Sequence, residues 1–175
     1  DVTFPENSPG ATSTVTIPGA YSIRNMTFTS TTQAYILSGG TLSATPLALG
    51  GISVSVGSPA HVLDTNFSFI TTNPFTIDQD STNDLTISGS IAGSVGISKT
   101  GTGTLVFSGA TPSVNSGLFT INAGQVTLDK TAGVQAVGGN ITVNAGILFW
   151  NQSEQMADTS TLSISNASTV IDLNG

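Results

Sequence analysis

Cysteine is absent from the 175 residues, so no disulfide framework staples the chain and oxidation has no thiol to act on. Charge is scarce at 7 % of residues, and Arg24, Lys99 and Lys130 face ten acidic side chains, giving a net charge of −7. A phosphate backbone needs a cationic stripe, so nucleic acid is excluded as a partner, and anionic lipid surfaces are disfavoured for the same reason. No apolar run approaches the ~18 residues that a helix needs to span a bilayer, which argues against membrane insertion by this segment, and no signal-peptide pattern is present. Helical periodicity is not sustained anywhere; a short turn of helix is tolerated only by the loop from Gln152 to Asp158. The first residue is Asp, so the expectation is a processed product or a piece of something longer.

What is present is Ser and Thr, about 29 % of the chain, beside 38 % hydrophobic residues in alternation. Leu118, Phe119, Ile121, Val126 and Leu128 recur as Ile141, Val143, Ile147, Leu148 and Trp150, with small polar residues between them, which is the period of a strand. Asn122-Ala123, Asn144-Ala145 and Asn166-Ala167 repeat at equal separations, 144 − 122 = 22 and 166 − 144 = 22. Gly124 and Gly146 follow the first two pairs and mark corners. Upstream, Leu85 and Ile87 precede Leu105 and Phe107 by 20 residues. A fixed period on strand-type sequence predicts a β-solenoid. The expected body is a single segment, 1–175, of roughly eight coils of about 20–22 residues and about 40 Å long, irregular over 1–84 and regular over 85–175. A β-sandwich also has many short strands but would not need the constant spacing. The phase of Leu162, Ile164, Ile171 and Leu173 is shifted by one residue relative to Asn166, which predicts a bulge or widened corner there.

Four groups of side chains invite a chemical reading. Asp78, Asp80, Thr82 and Asp84 imitate the alternating oxygen spacing of a calcium loop, without its glycine or its distal Glu, so a solvated acidic turn competes with a calcium site. His61 is the one histidine, no GxSxG elbow accompanies it, and it reads as a loop or partly buried residue with no catalytic part. Glu6 and Glu154 are far apart for a glycosidase pair, and Arg24 or Lys130 would have to supply the base of a lyase. Asn122, Asn144 and Asn166 predict an internal amide ladder at one corner of successive coils. Phe149 and Trp150 are expected on opposite faces of one strand.

The stretch KTGTGTLVFSG from Lys99, followed by GLFTINAGQVTL from Gly117, resembles the autotransporter-associated β-strand repeat. Lys99, Gly101, Gly103, Thr104, Leu105, Phe107 and Gly109 fall on its first half, and Gly117, Thr120, Ile121, Gly124, Val126 and Leu128 on its second. The resemblance implies a right-handed parallel β-helix stalk in a secreted bacterial protein, located outside the cell or on its surface. Its implied role is structural or adhesive and not enzymatic, with no cofactor beyond the calcium candidate. Strand-type sequence runs from Val2 to Leu173 with no polar cap at either end, so the expected partners are further repeats or other copies stacked end to end, together with a surface glycan or a ligand on a host or neighbouring cell. The competing function is a carbohydrate-acting β-helix enzyme, a polysaccharide lyase or hydrolase.

Overall fold

The structure is a computed structural model that describes residues 1–44, 50–70, 73–167 and 169–173. Among these, strands are the only regular element, and they follow one another as β1 (Val2–Phe4), β2 (Thr12–Thr16), β3 (Ala20–Ile23), β4 (Asn25–Phe28), β5 (Ala34–Ala44), β6 (Gly51–Val54), β7 (His61–Phe69), β8 (Phe75–Gln79) and β9 (Leu85–Ile87). The second half continues as β10 (Ile91–Gly93), β11 (Ile97–Thr100), β12 (Thr104–Phe107), β13 (Phe119–Ile121), β14 (Gln125–Leu128), β15 (Ile141–Val143), β16 (Ile147–Trp150), β17 (Leu162–Ile164) and β18 (Val170–Asp172). The loop 152–158 holds turns and no helix.

Every pairing is parallel, and the strands separate into two sheets in which neighbours are one winding apart. Sheet A runs β1-β4-β6-β8-β11-β13-β15-β17, and sheet B runs β2-β5-β7-β9-β12-β14-β16-β18. The chain is therefore a β-solenoid. Eight strands in a column span seven windings, about 34 Å at ~4.8 Å each, slightly fewer and shorter than the sequence period suggests.

Alternation decides which side chains go inside. In sheet A the register stacks Met26, Ile52, Ile77, Lys99, Ile121 and Val143 in one inward column, and Phe75, Ile97, Phe119 and Ile141 in another. In sheet B, Leu85, Leu105, Val126 and Leu148 stack inward beside Leu63, Ile87, Phe107 and Leu128. Nearly all of these are fully buried, and each large apolar side chain taken from water contributes roughly 1.5–3 kcal/mol. The Leu85/Leu105 and Ile87/Phe107 spacing seen in the sequence is direct register between β9 and β12.

Windings differ along the rod. On sheet A they measure 24, 26 and 25 residues from Val2 to Ile77, then 22, 22, 22 and 21 to Ile164. The early windings carry a third side, which persists as β10 into the first 22-residue winding. β3, the second half of β5, the second half of β7 and β10 pair there, and an irregularity between Ser38 and Thr41 turns β5 from one side to the next. Later coils reduce this side to loops, with one bridge between Val137 and Met156. Winding length drops at Phe75, whereas the third side persists to β10.

The tight corner from sheet A to sheet B is made by three residues after β11, β13 and β15. Gly124, at φ +68°, occupies it because a Cβ would lie 2.4 Å from the Gly103 carbonyl oxygen of the winding before. Gly146 repeats the arrangement, with its Cβ position 2.3 Å from the Gly124 oxygen. After β8 and β17 the corner widens to five residues, the second being the place where the sequence phase slips.

Candidate functional site

The outward side of sheet A is nearly uncharged and lined with hydrogen-bonding side chains. One outward column carries Asn25, Gly51, Thr76, Ser98, Thr120 and Thr142; the next carries Thr3, Thr27, Ser53, Asp78 and Thr100. Side chains clasp one another along the axis. Asn25 Nδ2 donates to Asp1 Oδ1 at 2.9 Å, Thr100 Oγ1 to Asp78 Oδ1 at 2.7 Å, Asn122 Nδ2 to Ser98 Oγ at 2.9 Å, and Asn144 Nδ2 to Asn122 Oδ1 at 2.8 Å.

This face is troughed. A groove of about 450 Å³ runs over β1, β4, β6 and β8, and one of about 510 Å³ runs over β8, β11 and β13; the two meet at Thr76. The second owes its depth to a glycine between larger neighbours. Phe75 N–H donates to the Gly96 oxygen and Ile97 N–H to the Leu118 oxygen, so Pro74, Gly96 and Leu118 stack in successive windings. Gly96 leaves a notch between a pyrrolidine ring and a leucine that is 47 % exposed.

The asparagines behave differently from the expectation. Asn122 and Asn144 do pair, but half-buried and exposed on the outside of the coil rather than within it. Asn166 does not share their position: Val143 pairs with Ile164, so Ser165 follows where Asn144 stands one winding earlier. The outside is where alternation must put them, because Ile121 and Val143 just before point inward.

Inside the rod, polar side chains serve the backbone. Lys99, in an otherwise apolar column, is fully buried, and its Nζ donates to the Thr100 and Gly101 oxygens at 2.5 and 2.9 Å. Burial lowers its pKa to about 8, against the pull of Asp78 and Asp80. Lys130 repeats the device, reaching the Ser108 and Gly89 oxygens at 2.7 and 3.2 Å, and burial brings it to about 8 as well. Gln155 Nε2 donates to the Lys130, Val134 and Ser153 oxygens, each at 3.1 Å. Buried carbonyls at corners have no ladder partner, and these long donors supply one. The sequence placed Lys99 on a motif without showing that it turns inward.

His61 is neither in a loop nor partly exposed: it opens β7 and is fully buried. Its Nδ1 accepts the Tyr35 N–H at 3.1 Å, which puts the ring proton on Nε2, an atom without a hydrogen-bond partner. The ring stacks on Phe28 at 4.4 Å, and burial holds its pKa down at about 4. Tyr35 Oη in turn donates to the Pro5 oxygen at 2.5 Å.

The acidic segment is divided among elements. Asp78 faces outward from β8, Asp80 begins the wide corner, and exposed Asp84 ends it before β9. That corner is tied by uncharged groups: Ser81 Oγ and Asn83 Nδ2 both donate to the Ser58 oxygen, and Gln79 Nε2 to the Asn83 oxygen at 2.6 Å. Among the described residues no three His, Cys, Asp or Glu side chains converge on a point. Thr104 and Leu105 of the motif open β12 with Leu105 buried, and Gly101, Gly103 and Gly109 sit at corners, where a Cβ would lie 2.0–2.5 Å from carbonyl oxygens of the preceding winding. Phe149 and Trp150 are both half-buried, Trp150 packing against the core. No helix among the described residues is long and apolar enough to cross a membrane.

No protein-family model matches the chain, and neither a curated protein nor a solved structure does.

Proposed function

We propose that this chain is a non-catalytic structural and adhesive module of the cell exterior, a β-solenoid segment that gives reach through stacked coils and makes contacts along its faces. The observation that carries this reading is the state of the last winding. Among the described residues β17 and β18 each have one paired and one open edge, and apolar side chains there stay in contact with water: Ile164 is 57 % exposed, Val170 51 % and Leu173 63 %. In sheet A, Ile164 continues the inward column of Ile121 and Val143, so one more parallel coil would bury it and satisfy the open edge. Another copy stacked end to end would supply that coil, a heterologous contact that propagates into a filament. The resemblance of residues 99–128 to autotransporter-associated repeats supports a bacterial surface setting.

The carbohydrate-acting alternative draws less from the geometry. A lyase needs a cation beside its substrate, and two of the three basic side chains, Lys99 and Lys130, are inside the rod and engaged with carbonyls.

Analytical ultracentrifugation over a wide concentration range tests the stacking. Association that weakens at least tenfold in an Ile164→Lys, Ile171→Lys double variant is the expected result, because both side chains continue inward columns and two ammonium groups would have to be desolvated in the joint. A monomer at every concentration, with no rods in electron micrographs, would refute stacking of copies.

A further inference from the structure

We propose that the trough along sheet A is a binding site for a neutral polysaccharide chain lying parallel to the solenoid axis. The inference rests on the adhesive reading above and names its partner. The two grooves share Thr76 as a lining residue and together cross six strands from β1 to β13 on one face. Five windings at ~4.8 Å make the site about 24 Å long, room for an extended polymer rather than a compact ligand.

The lining selects the chemistry. Thr27, Ser53, Thr76, Ser98 and Thr120 present hydroxyls that donate and accept, and Asn122 adds an amide that does both. Sugar hydroxyls have the same dual character, and a pyranose repeat is close in length to one winding, so equivalent contacts recur from coil to coil. The notch at Gly96, walled by Pro74 and Leu118, offers apolar surface to the C–H face of a sugar ring. Charge narrows the partner further. Asp1 and Asp78 are the charged residues lining the trough, and no Lys or Arg lines it, so a polyuronate, a nucleic acid or a sulfated glycan would meet repulsion without a counter-charge. The Asn122–Ser98 and Thr100–Asp78 hydrogen bonds hold parts of the lining in place before a ligand arrives, which lowers the ordering cost of binding.

Affinity electrophoresis in gels containing dextran, β-1,4-linked hydroxyethyl cellulose, mannan or polygalacturonate tests the site on the chain as it stands. Retardation by at least one of the three neutral polymers and none by polygalacturonate is expected. Gly96→Leu fills the notch, and its Cβ would make ordinary contacts, 3.5 Å from the Leu118 oxygen and 4.0 Å from Pro74, so the backbone accepts a side chain there; circular dichroism of the variant verifies its fold. It should weaken retardation at least tenfold, whereas Thr86→Leu, outward on sheet B, should leave it unchanged. The proposal fails if no neutral polymer retards the protein, if polygalacturonate retards it more, or if the two variants act alike. Release of reducing ends in the same incubations would instead overturn the non-catalytic reading and leave the binding site standing.

Discussion

At the scale of single residues, three buried basic side chains write a pH signature into the fold. His61 is held at about 4, below its ordinary 6.5, by burial among Phe28 and Tyr35. Tyr35 lies tilted against the ring at 5.9 Å, and burial is the cause that acts on it, with no carboxylate offsetting a charge there among the described residues. Between pH 6.5 and 4 the unfolded chain takes up a proton that the folded one refuses, so stability falls on acidification and levels off below 4. The full loss amounts to roughly 3 kcal/mol. His61→Leu tests this by urea denaturation: it should lose about 1–3 kcal/mol at pH 7, through the orphaned Tyr35 N–H, while shedding the part of the acid slope that His61 supplies. Lys99 and Lys130 act at the alkaline end. Their folded values near 8 lie below the ordinary 10.5, so the unfolded chain holds more protons between those limits and stability rises with pH across them. In Lys99→Met that rise should be about half as large, measured by the same titration. Little of this was legible in the sequence, where His61 reads as a loop or partly buried residue and Lys99 falls on a motif that does not show either lysine turning inward. Their orientation follows from strand phase, which a shift of one residue reverses.

At the scale of strands and corners the sequence was far more informative. Alternation in Phe119–Ile121 and Ile141–Val143 named the inward residues, and the period of 22 named their partners, because parallel windings turn sequence spacing directly into register. The Asn-Ala marks misled at the third copy for a reason in the same geometry: the winding there is 21 residues, so Asn166 falls one place late although its separation from Asn144 matches. Corners were readable where glycine is obligatory. Gly124→Ala should cost about 2–4 kcal/mol, combining a left-handed backbone at +68° with a collision against the Gly103 oxygen. Gly133→Ala, at +83° with nothing within 4 Å of the Cβ position, carries the backbone cost alone, about 1 kcal/mol. Thermal denaturation of the pair separates crowding from conformation; equal losses would mean that coil-to-coil contact at the corner adds nothing. The third side of the early coils left a weaker trace, since its strands merge into the long β5 and β7 and have no corner residue repeated at fixed spacing.

For the molecule as a whole, nearest-neighbour stacking makes the rod's properties sums over adjacent windings. The trough on sheet A is a property of this scale: each hydroxyl is ordinary alone, and only the alignment of six strands makes a channel of them. The sequence showed the abundance of Ser and Thr but not the notch at Gly96, which exists because Pro74 and Leu118 fall one winding to either side of it. Association through the last winding and polysaccharide retention along the trough are independent outcomes at this scale, one altered at Ile164 and Ile171, the other at Gly96. The parallel ladders also have a mechanical meaning. Their hydrogen bonds point along the rod, so a pull applied between its two extremities loads them in series. Such a rod peels from its tip, one turn at a time, and each 22-residue turn of the regular half pays out roughly 75 Å of slack. A tether built this way yields in small, repeated steps under load instead of snapping at once.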